Sequence, residues 1–162
     1  MTAPTVQIRD AELADAPQIL ALVKALAEYE QLSSQVEATL ADVERELFGP
    51  NAVARALVAV HAGERVGIAI WFHNFSTFLS RRGVYLEDLF VLPEHRGHGI
   101  GRALLVELAR RAHALGCGRM EWSVLDWNAP AIGFYESLGA RAVAGWSGFR
   151  LDAAGIATLA AQ

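Results

Sequence analysis

Apolar residues recur along this chain with two different periods, and the changes of period divide it into elements. Val6 and Ile8 alternate with polar neighbours over residues 5–9, the pattern of a half-buried strand. Ile19, Leu22, Val23 and Leu26 recur at helical spacing, with Asp15 and Gln18 as a cap and Pro17 in the first turn. Thr39 with Asp42 marks a second short helix that ends near Gly49-Pro50. Residues 54–61 and 66–75 read as strands separated by Ala-Gly-Glu-Arg, a hairpin signal. Residues 83–92 form a fourth strand, stopped by Pro93, along which alternation puts Tyr85, Glu87 and Leu89 on one face. Residues 97–115 open with glycines and continue with Leu104, Leu105, Leu108, Ala112 and Leu115, a long amphipathic helix ended by Gly116 and Gly118. A fifth strand follows over residues 120–125. Asn128 then caps a helix to Leu138 that Gly139 stops, and two short strands, residues 141–144 and 148–151, close the sheet. The order β-α-α-β-β-β-α-β-α-β-β predicts an α/β (α+β) fold, a mixed sheet with helices on its faces.

Composition narrows the function classes. The chain has 162 residues, 53% hydrophobic and 20% charged, which predicts one folded domain spanning 1–162. Its formal net charge of −4 lacks the basic footprint of a nucleic-acid binder. The single cysteine, Cys117, makes neither an intrachain disulfide nor a cysteine-rich zinc site, and fits a reducing, cytoplasmic setting. No run reaches the roughly 18 apolar residues of a membrane span. Residues 1–4 lack the pattern of a signal peptide, and the Ala-rich tail over residues 153–161 is short and broken by Gly155. His61, His73, His95, His98 and His113 are scattered without metal-ligand spacing, so no metal site is expected.

The most informative stretch runs from Val91 to Arg102, where a strand ends and Gly97, Gly99 and Gly101 lead straight into a helix. Glycines let a ligand approach the backbone, and the free N–H groups of a helix start favour an anion such as a pyrophosphate. Arg96 and Arg102 flank the turn. A nucleoside-triphosphate loop needs Lys and then Ser or Thr after its last glycine, whereas Arg102-Ala103 stands here. A dinucleotide fold needs a different glycine spacing and more chain for its parallel strands. A strand–helix turn that binds nothing is the remaining alternative.

Arg96-x-x-Gly99-x-Gly101 resembles the acyl-CoA motif of the GNAT N-acetyltransferases. The likeness covers nearly the whole chain. Leu26-Ala27-Glu28-Tyr29-Glu30, Tyr85-Leu86-Glu87-Asp88, the run from Arg96 to Gly101, and Trp127-Asn128 followed by Phe134-Tyr135 and Leu138-Gly139-Ala140 look like the spermidine/spermine (diamine) acetyltransferase family. Val124-Leu125-Asp126-Trp127-Asn128 and Gln31-Leu32-Ser33 lean toward its thialysine or diamine acetyltransferase branch. The resemblance implies a mostly antiparallel central sheet, acetyl-CoA as co-substrate and a homodimer. It implies that the backbone of Leu89, Phe90 and Val91 holds the pantetheine arm, with one N–H polarising the thioester carbonyl. Arg96, Gly97, His98, Gly99, Ile100, Gly101 and Arg102 hold the pyrophosphate. Asn128, Ala129, Pro130 and Ala131 meet the cofactor at the next helix start. Tyr135 is the general acid at the coenzyme sulfur. Tyr29, Glu30, Glu87, Glu121, Trp122 and Ser123 line the amine site.

The chemistry adds a demand of its own. An aliphatic amine with a pKa near 10.4 arrives charged at neutral pH and must lose a proton before it attacks. Glu87 is the candidate base on the resemblance, although the residues by themselves favour Glu87 and Asp88 as partners of arginines. Glu30 falls four residues past Leu26 on the buried line of the first helix, where a carboxylate needs a reason, unless the helix end frays and it reaches water. Tyr135 lies on an Ala131-Phe134-Leu138 stripe and also suits a core tyrosine. No acid stands near Thr77 or Ser147, where polyamine-specific relatives carry one, and Arg81 and Arg82 are close in sequence. That favours a diamine, or an amino acid with a side-chain amine such as thialysine, over spermine. Acetylation of a protein lysine or N-terminus, and a non-catalytic acyl-CoA-binding regulatory module, are the alternatives.

Overall fold

In a computed structural model describing residues 5–162, the predicted alternation and helical stripes resolve into five strands and five helices. Residues 1–4, expected to lack a signal-peptide pattern, lie outside the described residues. β1 (Gln7–Asp10) leads through a 3₁₀ turn at Leu13–Asp15 into α1 (Ala16–Tyr29), and a second such turn at Ser33–Gln35 precedes α2 (Leu40–Phe48). β2 (Arg55–His61), β3 (Glu64–Ser76) and β4 (Arg81–Val91) follow as an antiparallel meander. After a 3₁₀ turn at Pro93–His95 come α3 (Ile100–Ala114), β5 (Met120–Glu121), α4 (Ala129–Ser137) and α5 (Ala153–Ala160). The chain forms two compact units that divide after Ser123. Among the described residues, no helix is long and apolar enough to cross a membrane.

The first unit holds the sheet, in the order β1-β2-β3-β4-β5, antiparallel except for the parallel β4–β5 pair. Alternation sorts its side chains to two faces. Ala56, Val58, Ile68, Ile70 and Phe90 form one core with Ile19, Leu22 and Leu26 of α1. Gly67 points to the other face, where a Cβ would meet Leu104 of α3 at 3.4 Å, so α3 covers the side opposite α1. Helices therefore lie on both faces, as the pattern predicts. Leu104 and Leu108 are fully buried, each stabilising the fold by about 1.5–3 kcal/mol.

Local chemistry places most boundaries. Thr39 caps α2, accepting from the Asp42 N–H at 3.2 Å, while the Asp42 carboxylate accepts from the Thr39 N–H at 2.9 Å. Gly97 and Gly99 adopt φ of +79° and +78°, so α3 begins at Ile100 and not at residue 97. Asp15, expected as the cap of α1, has a helical backbone and no capping bond there. It accepts instead from the Glu12 N–H and from Arg9 and Arg65.

The expected fifth strand shrinks to two residues. Residues 141–144 and 148–151, predicted as closing strands, are irregular, with Val143, Trp146 and Phe149 exposed. Alternation records strand propensity, but a strand also needs a partner ladder, and among the described residues neither half has one. The Ala-rich tail forms α5, which the apolar pattern did not predict, capped by Asp152 accepting from the Gly155 N–H at 2.8 Å.

Candidate active site

β4 is the centre of the site because it is paired for only part of its length on one edge. β5 meets it at Val84↔Met120 and Tyr85↔Glu121 and extends no further. From Leu86 onward that edge has no strand partner. The Leu92 N–H donates to Val66 on the β3 side at 2.9 Å, so the N–H and C=O groups of Val91 and Leu89 turn to the open edge. Those of Phe90 turn toward β3. Between Ile70 and Trp71 the register shifts, because Asp88 pairs with Ile70 and Leu86 with Trp71, leaving Glu87 as the extra residue of a bulge. A bulge re-aims side chains. The simple alternation expected for Tyr85, Glu87 and Leu89 is interrupted there.

The open edge runs into the glycine turn. A Cβ at Gly97 or Gly99 would meet nothing within 4 Å, so both positions leave room on the ligand side as well as needing positive φ. Gly99 is the N-cap of α3 and supplies no side-chain bond; intrahelical bonding starts at Ala103 N–H to Gly99. The N–H groups at Ile100, Gly101 and Arg102 belong to the first turn, where a helix has no carbonyl of its own to offer. A bare helix start, an open strand edge and space above the glycines fit the pyrophosphate and the pantetheine arm of acetyl-CoA. His98 lies in the turn, with Nδ1 3.4 Å from the His95 carbonyl. Arg96 projects back over Tyr29 and Phe90.

Three carboxylates, Glu30, Glu87 and Asp88, lie close enough for the charges of the first two to act on the third. Asp88 shares the face of Phe90, since their cross-strand partners Ile70 and Ile68 both belong to the α1 core. Glu30 is the C-cap residue of α1 and half-buried; burial raises its pKa. Asp88 is pushed up to about 6, first by burial and then by the charges of Glu87 and Glu30. Glu87 itself is exposed. Among the described residues no arginine or lysine forms an ion pair with any of the three. The arginine pairing considered for Glu87 and Asp88 is therefore absent. Asp88 is the residue that sequence reasoning passed over; its place two residues from the core-facing Phe90 was the available signal.

The remaining predicted residues divide. Tyr29 ends α1 beside Glu30. Ser123 meets Tyr85, oxygen to oxygen at 3.1 Å, whereas the Glu121 carboxylate already accepts from Asn74 and Arg119 at 2.9 Å each. Trp122 is half-buried between them in sequence. Arg81 and Arg82 open β4 at its far end. Arg82 lies six positions before Asp88 along the strand, about 20 Å, so neither arginine flanks the carboxylates. In the second unit, Asn128 caps α4, accepting from the Ala131 N–H at 3.3 Å, with Ala129 and Pro130 in the first turn. Tyr135 lies further along α4, its ring 5.4 Å from that of Phe134.

The fold and this site define a class of acyl-CoA-dependent transferases, and comparison with known proteins agrees. The model of the acetyltransferase (GNAT) family matches residues 19–140. The chain belongs to that family and is an N-acetyltransferase. It is 37% identical to thialysine N-epsilon-acetyltransferase of Sus scrofa, covering 98% of this chain and 99% of that one. It is 38% identical to L-ornithine N5-acetyltransferase of Arabidopsis thaliana, over 72% of this chain and 48% of that one. A solved integron cassette protein from V. cholerae superposes with a TM-score of 0.82 at 25% identity, covering 97% of this chain and 98% of that one.

Proposed function

We propose that this enzyme moves the acetyl group of acetyl-CoA to the primary amine of a small molecule, a diamine or an amino acid with a side-chain amine, by direct attack while both are bound. The whole chain acts as one catalytic domain. The observation that carries this reading is a set of three carboxylates, Glu30, Glu87 and Asp88, without a cationic partner, beside a strand edge left open for the cofactor. Leaving the half-buried Asp88 beside two other acids is costly unless a cation arrives to share the place. The relatives named for thialysine and L-ornithine support an amino acid with a side-chain amine. The distance of Arg81 and Arg82 removes them as partners for such a substrate's carboxylate.

Acetyl-CoA supplies an activated thioester. The chain's own groups do the rest. N–H groups on the open edge at Leu89 and Val91 hold the pantetheine arm and face the thioester oxygen, where negative charge grows during attack. The first turn of α3, with Arg102, holds the pyrophosphate. Glu30 and the Glu87–Asp88 pair draw in the ammonium, and the pair takes its proton so that the nitrogen can attack. As the carbon–sulfur bond breaks, the Tyr135 hydroxyl gives a proton to the leaving sulfur. Asn128, Ala129, Pro130 and Ala131 meet the cofactor at the start of α4. A cytoplasmic homodimer accompanies this reading on the family resemblance and the single half-buried cysteine.

Release of coenzyme A, followed with a thiol reagent across a panel of amines, tests the proposal. Short diamines or amino acids with side-chain amines should give higher kcat/KM than spermine. No release with any small amine, alongside acetylation of a lysine peptide, would replace this substrate class with a protein. Gly99→Glu should abolish acetyl-CoA binding in a folded protein, because a carboxylate would stand in the pyrophosphate cradle.

A further inference from the structure

The Arg96 side chain touches both halves of the proposed site. Its Nε–H donates to the Val91 carbonyl at 2.9 Å, on the open edge of β4. Its guanidinium lies 4.7 Å from the centroid of the Tyr29 ring and 5.3 Å from that of Phe90. Tyr29 is the last residue of α1, next to Glu30, and the chain then turns through Gln31 at φ +61°, a conformation that costs energy for a residue other than glycine. An unfavourable turn persists only where its surroundings hold it. The planar, always-charged guanidinium stacked on Tyr29 supplies such a hold, and lysine lacks the flat face that does it.

We propose that the Arg96 side chain is a positioning residue for the amine: it ties the end of α1, and with it Glu30, to the cofactor-holding edge of β4. This rests on the acetyltransferase reading given above. With its Nε on Val91 and its face over two rings, the Arg96 side chain acts as a bracket. The turn's backbone N–H groups and Arg102 are left to meet the pyrophosphate.

The test measures acetyl-CoA Kd by calorimetry and amine KM in the full-length enzyme, for the parent, Arg96→Met, Arg96→Lys and the Tyr29→Leu/Arg96→Met pair with its single variants. The bracket predicts that Arg96→Met raises amine KM about tenfold, with acetyl-CoA Kd changed less than about twofold. Arg96→Lys should recover only a small part of the loss. The double variant should be little worse than Tyr29→Leu alone, since both remove one contact. A tenfold or greater loss of acetyl-CoA affinity in Arg96→Met, restored by lysine, with amine KM unmoved, would overturn the proposal in favour of a simple charge on the pyrophosphate. Additive effects of the Tyr29 and Arg96 changes would overturn it too. A parent enzyme that binds no acetyl-CoA at all would overturn the acetyltransferase reading itself, a result distinguishable from either of these.

Discussion

Two aspartates in the first unit are treated in opposite ways. Asp15, fully buried, receives Arg9 at 2.6 and 3.0 Å, Arg65 at 2.6 Å and the Glu12 N–H at 2.8 Å. The Arg9 hydrogen bonds, with those from Glu12 and Arg65, hold its pKa well below the usual carboxylate range. Asp88 sits on the α1 face of β4, where burial and the charges of Glu87 and Glu30 raise its pKa to about 6. One carboxylate is compensated on every side and ties β1, the first turn and β3 together. The other is left short of positive charge. A fold that compensates Asp15 so completely has the means to compensate Asp88, and under the function proposed above the missing cation is the one the substrate brings.

The largest effect expected from disturbing this contrast is on folding. Asp15→Asn leaves Arg9 and Arg65 without their partner and should destabilise the protein by about 3–5 kcal/mol in urea unfolding, while the fraction that stays folded keeps its kcat. Because the Asp15 pKa is depressed, its contribution is present above the ordinary value near 3.8 and fades as pH falls below it. The gap between parent and variant should therefore narrow in acid. A variant as stable as the parent at neutral pH would mean that the Asp15 cluster holds nothing together.

Changes at the uncompensated end should act on rate. Glu87→Gln and Asp88→Asn should each lower kcat/KM about 100-fold at neutral pH. The deficit should shrink as pH approaches the amine's own pKa. A pH–rate profile parallel to the parent's would remove the pair from proton transfer.

Smaller still, and opposite in sign to Asp15→Asn, is the effect of Asp88→Asn on stability. The folded protein holds the Asp88 proton more tightly than the unfolded chain, so this residue favours folding at low pH and loses that advantage as pH rises through about 6. At pH 7.5 the asparagine variant should be more stable than the parent by roughly 1–2 kcal/mol, and below pH 4 the two should melt together. Equal melting temperatures at both pH values would show Asp88 to be solvated and ordinary. Glu30→Gln should have the least effect, moving the acid limb of the pH–rate profile downward by a few tenths of a unit as one like charge is removed.

Much of this was legible in the residues. Helical spacing from Ile19 to Leu26, the Thr39–Asp42 cap and the glycines before α3 carry local rules, and the structure follows them. The geometry of the turn proposed to hold the cofactor was legible for the same reason, since positive φ and a bare helix start depend on neighbours in sequence. The acid cluster was only half legible. Glu87 was identified by likeness, but the bulge that exposes it depends on pairing with β3, which no local pattern encodes. Asp15 resembled a cap because nothing near it in sequence announces Arg65, fifty positions away. The closing strands failed for lack of a partner: residues 141–151 have the composition of a hairpin, but among the described residues neither half pairs with a strand.

The claim that Asp88 is held ready for a cation is tested most directly by following its carboxyl carbon by NMR as a function of pH, free and with a saturating amine substrate in the absence of acetyl-CoA. In the free enzyme the signal should titrate near pH 6, and it should move toward the ordinary carboxylate range when the ammonium binds beside it. A signal that titrates near pH 4 in both states, or one that does not move when the amine binds, would contradict the account.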